Sequence, residues 1–360
     1  MKTIKINVIG LGKLGFPMAI FLRSKFEVNA YDTNQHLRNL LINNSSLHLP
    51  NETSIKKYLK KKINIYETVE ESLKGTNVCF ITVPTPSTEN GKFSNKYLIG
   101  VLKKISQFLI KTYNKEKPYI ININSTVSPG SFEDSLIPFM KRKGLTINKD
   151  YEFIYNPYFV ALGDVIKNLE NPDFILLGSS SINSSKKMQF IYKKIYRHPV
   201  FKSMNLNEAE LVKLLVNCYV SSKISFTNFV KDIAENFKLV STPTVLDAIG
   251  TDKRIGKNFL RPGGPFLGPC LPRDIVALNK FCKDIKIKNY YPYFTKKINQ
   301  NSLYKLSELV KVLKKNKIRN IGFTGLAYKP NTEFFQESIA FKLMKESKKI
   351  GLKVYFFDKY

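Results

Sequence analysis

The sequence predicts an α/β protein in three parts. These are a doubly wound, mostly parallel sheet over residues 1–200, an all-helical block over 201–302, and an incomplete second strand–helix unit over 303–360. Three observations carry this expectation. Short β-rich runs alternate with helical stretches through the first two hundred residues. From about Asn205 to Gln300 the helical stretches lengthen and the strand signals stop. After residue 317 a strand–loop–helix pattern begins again.

In chain order, "IKINVIG" (4–10), "FEVNAYD" (26–32), "NVCFITVP" (77–84), "YIININS" (119–125), "YEFIYNP" (151–157) and "DFILLG" (173–178) read as strands. The segment "NEAELVKLLVNCYVSSKISFTNFVKDIAENF" reads as one long helix. "IRNIGFTGLAYKP" (318–330) opens the last unit and "LKVYFFDKY" supplies its second strand. A doubly wound sheet is covered on both faces, which two strands and one helix cannot provide. The last unit is therefore expected to be truncated, or to dock on a partner.

Composition narrows the class. Hydrophobic content of 43% with 24% charged residues fits a soluble globular chain. No apolar run reaches membrane-spanning length, and the N-terminus enters a strand rather than a signal sequence. Cys79, Cys218, Cys270 and Cys282 form no C-x-x-C pair, and His36, His48 and His198 are scattered. Neither a metal site nor a disulfide framework is expected, and a reducing cytoplasm fits. The net charge of +30 is compatible with polyanion binding, but also with biased composition. The charge is nearly all Lys, spread evenly, which favours the second reading; no nucleic-acid partner is expected. Of only eight Arg, three (Arg254, Arg261 and Arg273) cluster near Cys270, where a planar guanidinium suits phosphate.

"GLGKLG", with Gly10, Gly12 and Gly15 around Leu11, Lys13 and Leu14, follows one strand and precedes a helix, and Asp32 ends the next strand. That context makes it a dinucleotide fingerprint of a Rossmann-like domain. The glycines permit a tight turn, backbone approach to pyrophosphate and close helix–strand packing. Asp32 would accept hydrogen bonds from ribose hydroxyls and repel a 2′-phosphate, favouring NAD over NADP. "VPTPS" (Val83, Pro84, Thr85, Pro86, Ser87) and "STVSPG" (from Ser125 and Thr126) follow further strands. Each alone could be an ordinary turn; beside the glycine motif they become walls of a cofactor crevice.

Lys213 and Asn217 stand four apart on one helix face, while Leu211, Leu214, Leu215 and Cys218 read as packing. A solvated pair is one reading. The other places an ammonium and an amide beside a thiol, where both could stabilise an oxyanion. The thiol would come from "GGPFLGPCLPRD" (263–274), a glycine- and proline-rich loop with Cys270 at its tip.

Together with "YNPYFVALGDVIKNLENPDFILLG", "AELVKLLVN", "KISFTN", "RIGKNFLRPGGPFLGPCLPRD" and "GLAYKPNTEFFQES", these motifs resemble the UDP-glucose/GDP-mannose (nucleotide-sugar) dehydrogenase family over nearly the whole chain. The resemblance implies an NAD-binding domain, a helical central domain that forms a homodimer, and a nucleotide-sugar-binding domain. It also implies oxidation of a sugar C6 alcohol to the carboxylate with two NAD. Carried over residue by residue, Cys270 is the nucleophile, Lys213 and Asn217 stabilise the oxyanion, and Asp274, supported by Thr126, handles water and protons. Arg273 joins the cofactor contacts. Tyr158, Phe159, Val160, Arg261, Gly264, Phe266, Leu267, Gly268, Tyr328 and Lys329 match substrate contacts, and Arg254 matches an arginine that reaches the other subunit's substrate.

Three positions depart from the family pattern. Tyr158 stands where the family has a glutamate active in thioester hydrolysis, Leu162 replaces a second glutamate, and Gln336 replaces an arginine. Two alternatives therefore stay open: a degenerate homologue that binds NAD or a nucleotide sugar without turnover, and a two-electron β-hydroxyacid dehydrogenase. The cysteine loop argues against the second, since two-electron oxidation needs no thiol.

Overall fold

The computed structural model describes residues 4–43, 58, 63–111, 117–160, 163–329, 332, 334–335 and 337–358. The chain forms two compact units, one of Met1–Thr88 with Phe93–Lys213, the other of Glu89–Lys92 with Leu214–Tyr360.

The first unit runs β1 (Lys5–Ile9), α1 (Gly15–Arg23), β2 (Glu27–Tyr31), α2 (Gln35–Asn43), β3 (Asn64–Ile65), α3 (Val69–Leu73), β4 (Val78–Ile81), α4 (Lys96–Lys111) and β5 (Tyr119–Ile123). A π-helical turn, Phe132–Leu136, leads into α5 (Ile137–Arg142). Then come β6 (Tyr151–Tyr155), α6 (Val165–Glu170), β7 (Ile175–Ser179), α7 (Ile182–Lys193) and β8 (Phe201–Met204). The strands form an eight-stranded sheet in the order β3-β2-β1-β4-β5-β6-β7-β8. The chain first winds outward from β1 through β2 to β3, then restarts at β4 on the other side of β1. That reversal creates a crevice at the carboxyl ends of β1 and β4.

Both faces of this sheet are covered, so its central strands are mostly apolar and every residue of β4, β5 and β6 is buried, Asn122 and Glu152 included. Alternation sorts them into two cores. Val78 and Phe80 join Ile6, Val8, Val28 and Ala30 in one cluster with α1, α6 and α7. Cys79 and Ile81 join Ile9, Ile121 and Ile123 in the other, with α3, α4 and α5. Leu98, Leu102, Ile105 and Leu109 repeat at helical spacing and are all fully or nearly fully buried, which fixes the face that α4 turns to the sheet.

The sheet is parallel from β3 to β6 and reverses once, because β7 pairs antiparallel with β6 through Ile154–Ser179 and Tyr155–Gly178. β8 then pairs parallel with β7. The expected strands are all present. β3 and β8 are additions: β3 is only two residues long, and "FKSM" of β8 carries no apolar run and none of it is buried.

In the second unit, the long helix α8 (Leu206–Asn236), which begins in the first, continues into α9 (Thr242–Thr251), α10 (Leu271–Asp284) and α11 (Tyr290–Lys315). β9 (Asn320–Thr324), α12 (Ile339–Lys349) and β10 (Lys353–Phe357) follow, the two strands pairing in parallel from Asn320–Lys353 to Thr324–Phe357. A parallel pair requires a crossover, and α12 is it. Among the described residues, no helix is long and apolar enough to cross a membrane.

Candidate active site

In the first unit, four loops extend the ladder beyond the strands. Gly10 N–H donates to Tyr31 at 2.9 Å, Thr82 to Ile9 at 2.9 Å, Asn124 to Ile81 at 2.9 Å and Asn156 to Ile123 at 2.9 Å. The loops after β1, β4, β5 and β6 therefore leave the sheet from one level. Gly10 has φ +91°, and a Cβ there would sit 2.8 Å from the Thr82 carbonyl oxygen. Gly15 is tighter still: a Cβ would lie 1.8 Å from Gly10 O and 2.3 Å from Thr82 Oγ1. Only glycine lets the first turn of α1 sit against this loop. Gly12 and Lys13 are exposed, and nothing lies within 4 Å of a Cβ at Gly12.

Asp32, at the end of β2, accepts from Leu11 N–H through Oδ2 at 2.7 Å and from Asn34 N–H through Oδ1 at 2.8 Å. Each oxygen retains an acceptor direction, so the carboxylate is oriented yet can still take a ribose hydroxyl. The two further loops are stitched together: Thr85 Oγ1 donates to Thr126 O at 2.6 Å, and Ser125 Oγ donates to Val83 O at 2.6 Å. Pro84 and Pro86 are exposed beside them. Open glycine backbone, an oriented carboxylate and a helix N-terminus fit a dinucleotide.

The same unit seats Lys213. Its Nζ donates to the Tyr158 carbonyl at 2.8 Å and lies 4.5 Å from the centre of the Phe159 ring. Tyr158 presents this carbonyl rather than its phenol. Its ring packs on the core, its hydroxyl bonds the Tyr192 hydroxyl at 2.8 Å, and burial pushes its pKa above the ordinary phenol value. Val160 is half-buried at the end of this segment.

One turn before Lys213, Glu210 is fully buried and accepts from Gly130 N–H at 2.7 Å and Phe132 N–H at 3.1 Å. Burial pushes this carboxyl up to about 7, against the backbone N–H bonds that pull it down. It caps the helical turn that follows the Ser125–Gly130 loop.

In the second unit, Cys270 is exposed at the N-cap of α10, and its carbonyl accepts from Asp274 N–H at 2.9 Å. A helix N-terminus favours negative charge placed beside it. Asp274 is 1% exposed; Asn217 Nδ2 donates to its Oδ2 at 2.6 Å, and Arg273 Nε lies 3.6 Å from its Oδ1. The loop before the cysteine is built, not slack. Asn228 Nδ2 donates to Gly264 O at 3.1 Å, and Asn299 brackets Phe266 with bonds of 2.7 and 3.0 Å to its N–H and carbonyl. Gly268 N–H donates to Glu337 O at 2.9 Å.

Gly268 has φ +85°, and a Cβ there would meet the Tyr328 ring at 2.8 Å. Burial, then the nearby Cys270, raises the Tyr328 pKa. Leu267 and Lys329 are half-buried.

The two remaining arginines stand apart from these contacts. Arg261 is exposed, and Arg254 folds onto Asp252 of its own loop, with Nε 3.0 and 3.1 Å from the two carboxylate oxygens. Leu214 and Cys218 are buried as packing residues, whereas Leu215 is 43% exposed. Leu162 and Gln336 lie outside the described residues. Sequence reasoning passed over Glu210, Asn228, Asn299 and Tyr192. Glu210 and Asn228 fall inside motifs already singled out, "AELVKLLVN" and "KISFTN", while Asn299 and Tyr192 carry no sequence signal.

Comparison with known proteins gives two adjoining matches. Residues 4–196 match the UDP-glucose/GDP-mannose dehydrogenase family, NAD binding domain, and residues 207–301 match the central domain of the same family. The UDP-glucose 6-dehydrogenase of Rickettsia typhi is 31% identical over 306 residues, which is 81% of this chain and 67% of that protein. The chain spans about two thirds of the length of the curated relatives it matches. Among solved structures, a UDP-glucose dehydrogenase from Pyrobaculum islandicum superposes with a TM-score of 0.85 at 25% identity, covering 99% of this chain and 82% of that one. A UDP-D-ManNAc dehydrogenase from Pyrococcus horikoshii gives 0.83 at 23% identity, covering 99% and 84%, a likeness of fold.

Proposed function

The chain belongs to the UDP-glucose/GDP-mannose dehydrogenase family, and from that premise we propose that it oxidises the C6 primary alcohol of a nucleotide sugar to the carboxylate through a covalent intermediate on Cys270. Its cofactor is NAD: residues 4–196 are the family's NAD binding domain. The Gly10–Gly15 loop and Asp32 hold the pyrophosphate and ribose in this reading. When bound, NAD takes up one hydride in each of two oxidations.

The observation that carries the reading is an exposed thiol at the N-cap of α10, in a loop braced by Asn228, Asn299 and Tyr328. A two-electron dehydrogenase has no use for it. In the first oxidation a base removes the hydroxyl proton and C6 becomes an aldehyde. The Cys270 thiolate adds to that carbon; the new C–S bond leaves an oxyanion, whose stabilisation the family resemblance assigns to the Lys213 ammonium and the Asn217 amide. Loss of hydride from the same carbon leaves a thioester. Water then adds, the C–S bond breaks, and the thiol and carboxylate are released. Asp274, held by Asn217, is the group assigned to the water's proton, with Thr126 in support.

Arg261, Gly264, Phe266, Leu267, Gly268, Tyr328 and Lys329 are assigned to the nucleotide sugar: a UDP-hexose, a UDP-N-acetylhexosamine or GDP-mannose. Arg254 would serve the partner subunit in a homodimer. Exposed Tyr219, Phe226, Phe229 and Ile233, at helical spacing on α8, support such an association. The cytoplasm is the proposed site of action.

A second reading has one observation in its favour. The phenol that replaces the family's glutamate is buried on Tyr192, which removes one acid–base group and would suit a protein that binds without turnover. NADH yield across a panel of nucleotide sugars separates the two. Two equivalents per sugar are expected; none favours the binding protein, and one favours two-electron chemistry. Cys270→Ser should abolish the full yield, and an unchanged rate would remove the nucleophile assignment.

A further inference from the structure

The end of β6 is held by an unusually complete set of bonds. Asn156 N–H donates to Ile123 O, and its carbonyl accepts from Asn124 Nδ2 at 2.6 Å. Its Nδ2 donates to Leu176 O at 2.8 Å. That last bond turns Oδ1 toward Tyr192, whose hydroxyl donates to it. A phenol has one proton, so the Tyr192 oxygen can only accept from Tyr158, at 2.8 Å. The order Tyr158 to Tyr192 to Asn156 is thereby forced.

Asn156 and Tyr192 are each 1% exposed, and burial raises both tyrosine pKa values above the ordinary phenol value. Both hydroxyls remain protonated across the range in which an enzyme works.

The segment Asn156–Pro157–Tyr158 is thus fixed at one end in the sheet and at the other by the Tyr158 ring, with Pro157 restricting the φ between them. What this rigid segment presents to α8 is the Tyr158 carbonyl, 2.8 Å from Lys213 Nζ, followed by the Phe159 ring. A lysine has four rotors and is easily misplaced by them. Here its 7% exposed side chain ends in a seat with an oxygen on one side and a π face on the other.

We propose that Tyr192, acting through the Tyr158 hydroxyl, is a positioning residue that fixes the carbonyl and ring on which Lys213 is oriented. The Tyr158 phenol takes no part in proton transfer. The inference rests on the oxyanion role assigned to Lys213 above.

The test uses the full chain and two variants. Tyr158→Phe removes one hydroxyl, keeps the ring and leaves Tyr192 bonded to Asn156. Tyr192→Phe breaks the chain from the other side. Trace reductive methylation with formaldehyde, read by mass spectrometry, reports on the Lys213 amine without requiring turnover. Lys187, paired with buried Glu152, is the internal reference. Methylation of Lys213 should accelerate about fivefold or more in either variant while Lys187 is unchanged; equal Lys213 rates would overturn the proposal.

Kinetics give a second readout. Each variant should lower kcat about tenfold with both KM values within about twofold, since misplacing one group by an ångström has effects of this order or larger. In a Lys213→Met background neither should lower it further. Equal losses in both backgrounds would show a merely structural role and overturn the proposal. An undiminished kcat in Lys213→Met alone would instead refute the oxyanion role, leaving methylation to judge the orienting seat. If Tyr192→Phe does not fold, Tyr158→Phe decides alone.

Discussion

The side-chain amide of Asn217 donates to Oδ2 of Asp274 at 2.6 Å, across 57 residues of sequence. Asp274 is 1% exposed and lies one turn into the helix that Cys270 caps. The pair therefore ties α8 to the N-terminal end of α10, and the order of the cysteine loop depends on it. Asn217→Leu should cost about 1–3 kcal/mol, the range for withdrawing a donor from a buried acceptor. Urea denaturation would show this as a lower midpoint at unchanged slope. The same variant should slow NADH formation in the second oxidation more than NAD binding.

The two glycines of the first loop should respond differently. Gly15→Ala places a methyl 1.8 Å from Gly10 O, so backbone must move, with a loss of about 3 kcal/mol or more. Gly12→Ala meets nothing within 4 Å and should leave Tm nearly unchanged. Both should weaken NADH binding at least about tenfold, Gly12→Ala because its methyl obstructs backbone approach to the pyrophosphate and Gly15→Ala because it displaces the start of the helix that faces it. Fluorescence titration beside thermal melting separates the two causes.

Glu210 gives the protein a pH dependence of defined sign. Its carboxyl titrates near 7 when folded, against 4.5 ordinarily, because it is buried. Between those values the folded state holds more protons than the unfolded state. The contribution of Glu210 to stability therefore falls as pH rises from about 4.5 through 7, by up to about 3 kcal/mol. Glu210→Gln removes the titration. Wild type should lose stability relative to that variant between pH 5 and pH 8, in denaturation series run side by side. A constant difference would contradict the buried, raised carboxyl.

Gly268→Ala tests the cysteine loop without touching the thiol. The residue has φ +85° and would drive a methyl into the Tyr328 ring. Backbone strain alone is worth about 1–3 kcal/mol. The expected result is a lower Tm together with slower alkylation of Cys270 by iodoacetamide or a lower kcat, with NADH affinity unchanged.

Much of this was legible in the sequence. The strands of the first sheet announce themselves because parallel strands buried on both faces are mostly apolar, as in "VCFI" and, with Asn122 the one polar residue, "YIINI". Gly10 and Gly15 of the fingerprint are legible because carbonyl oxygens 2.8 and 1.8 Å from their Cβ positions leave no room for a side chain. β3 and β8 were not legible, one being two residues long and the other short and polar, and the reversal at β7 was not, because an apolar run reads identically in either direction.

By itself the sequence determined the longer apolar strands, the cofactor loop, the family and the identity of an unusual cysteine, since each depends on residues close together along the chain. Tertiary structure alone decided that Tyr158 turns its phenol inward and its carbonyl to Lys213, and that Glu210 caps a loop 78 residues away. It also decided that Asn299 brackets Phe266. A side chain's direction and hydrogen-bond partner are fixed by what other segments leave buried and unsatisfied around it, and local sequence carries no record of those segments.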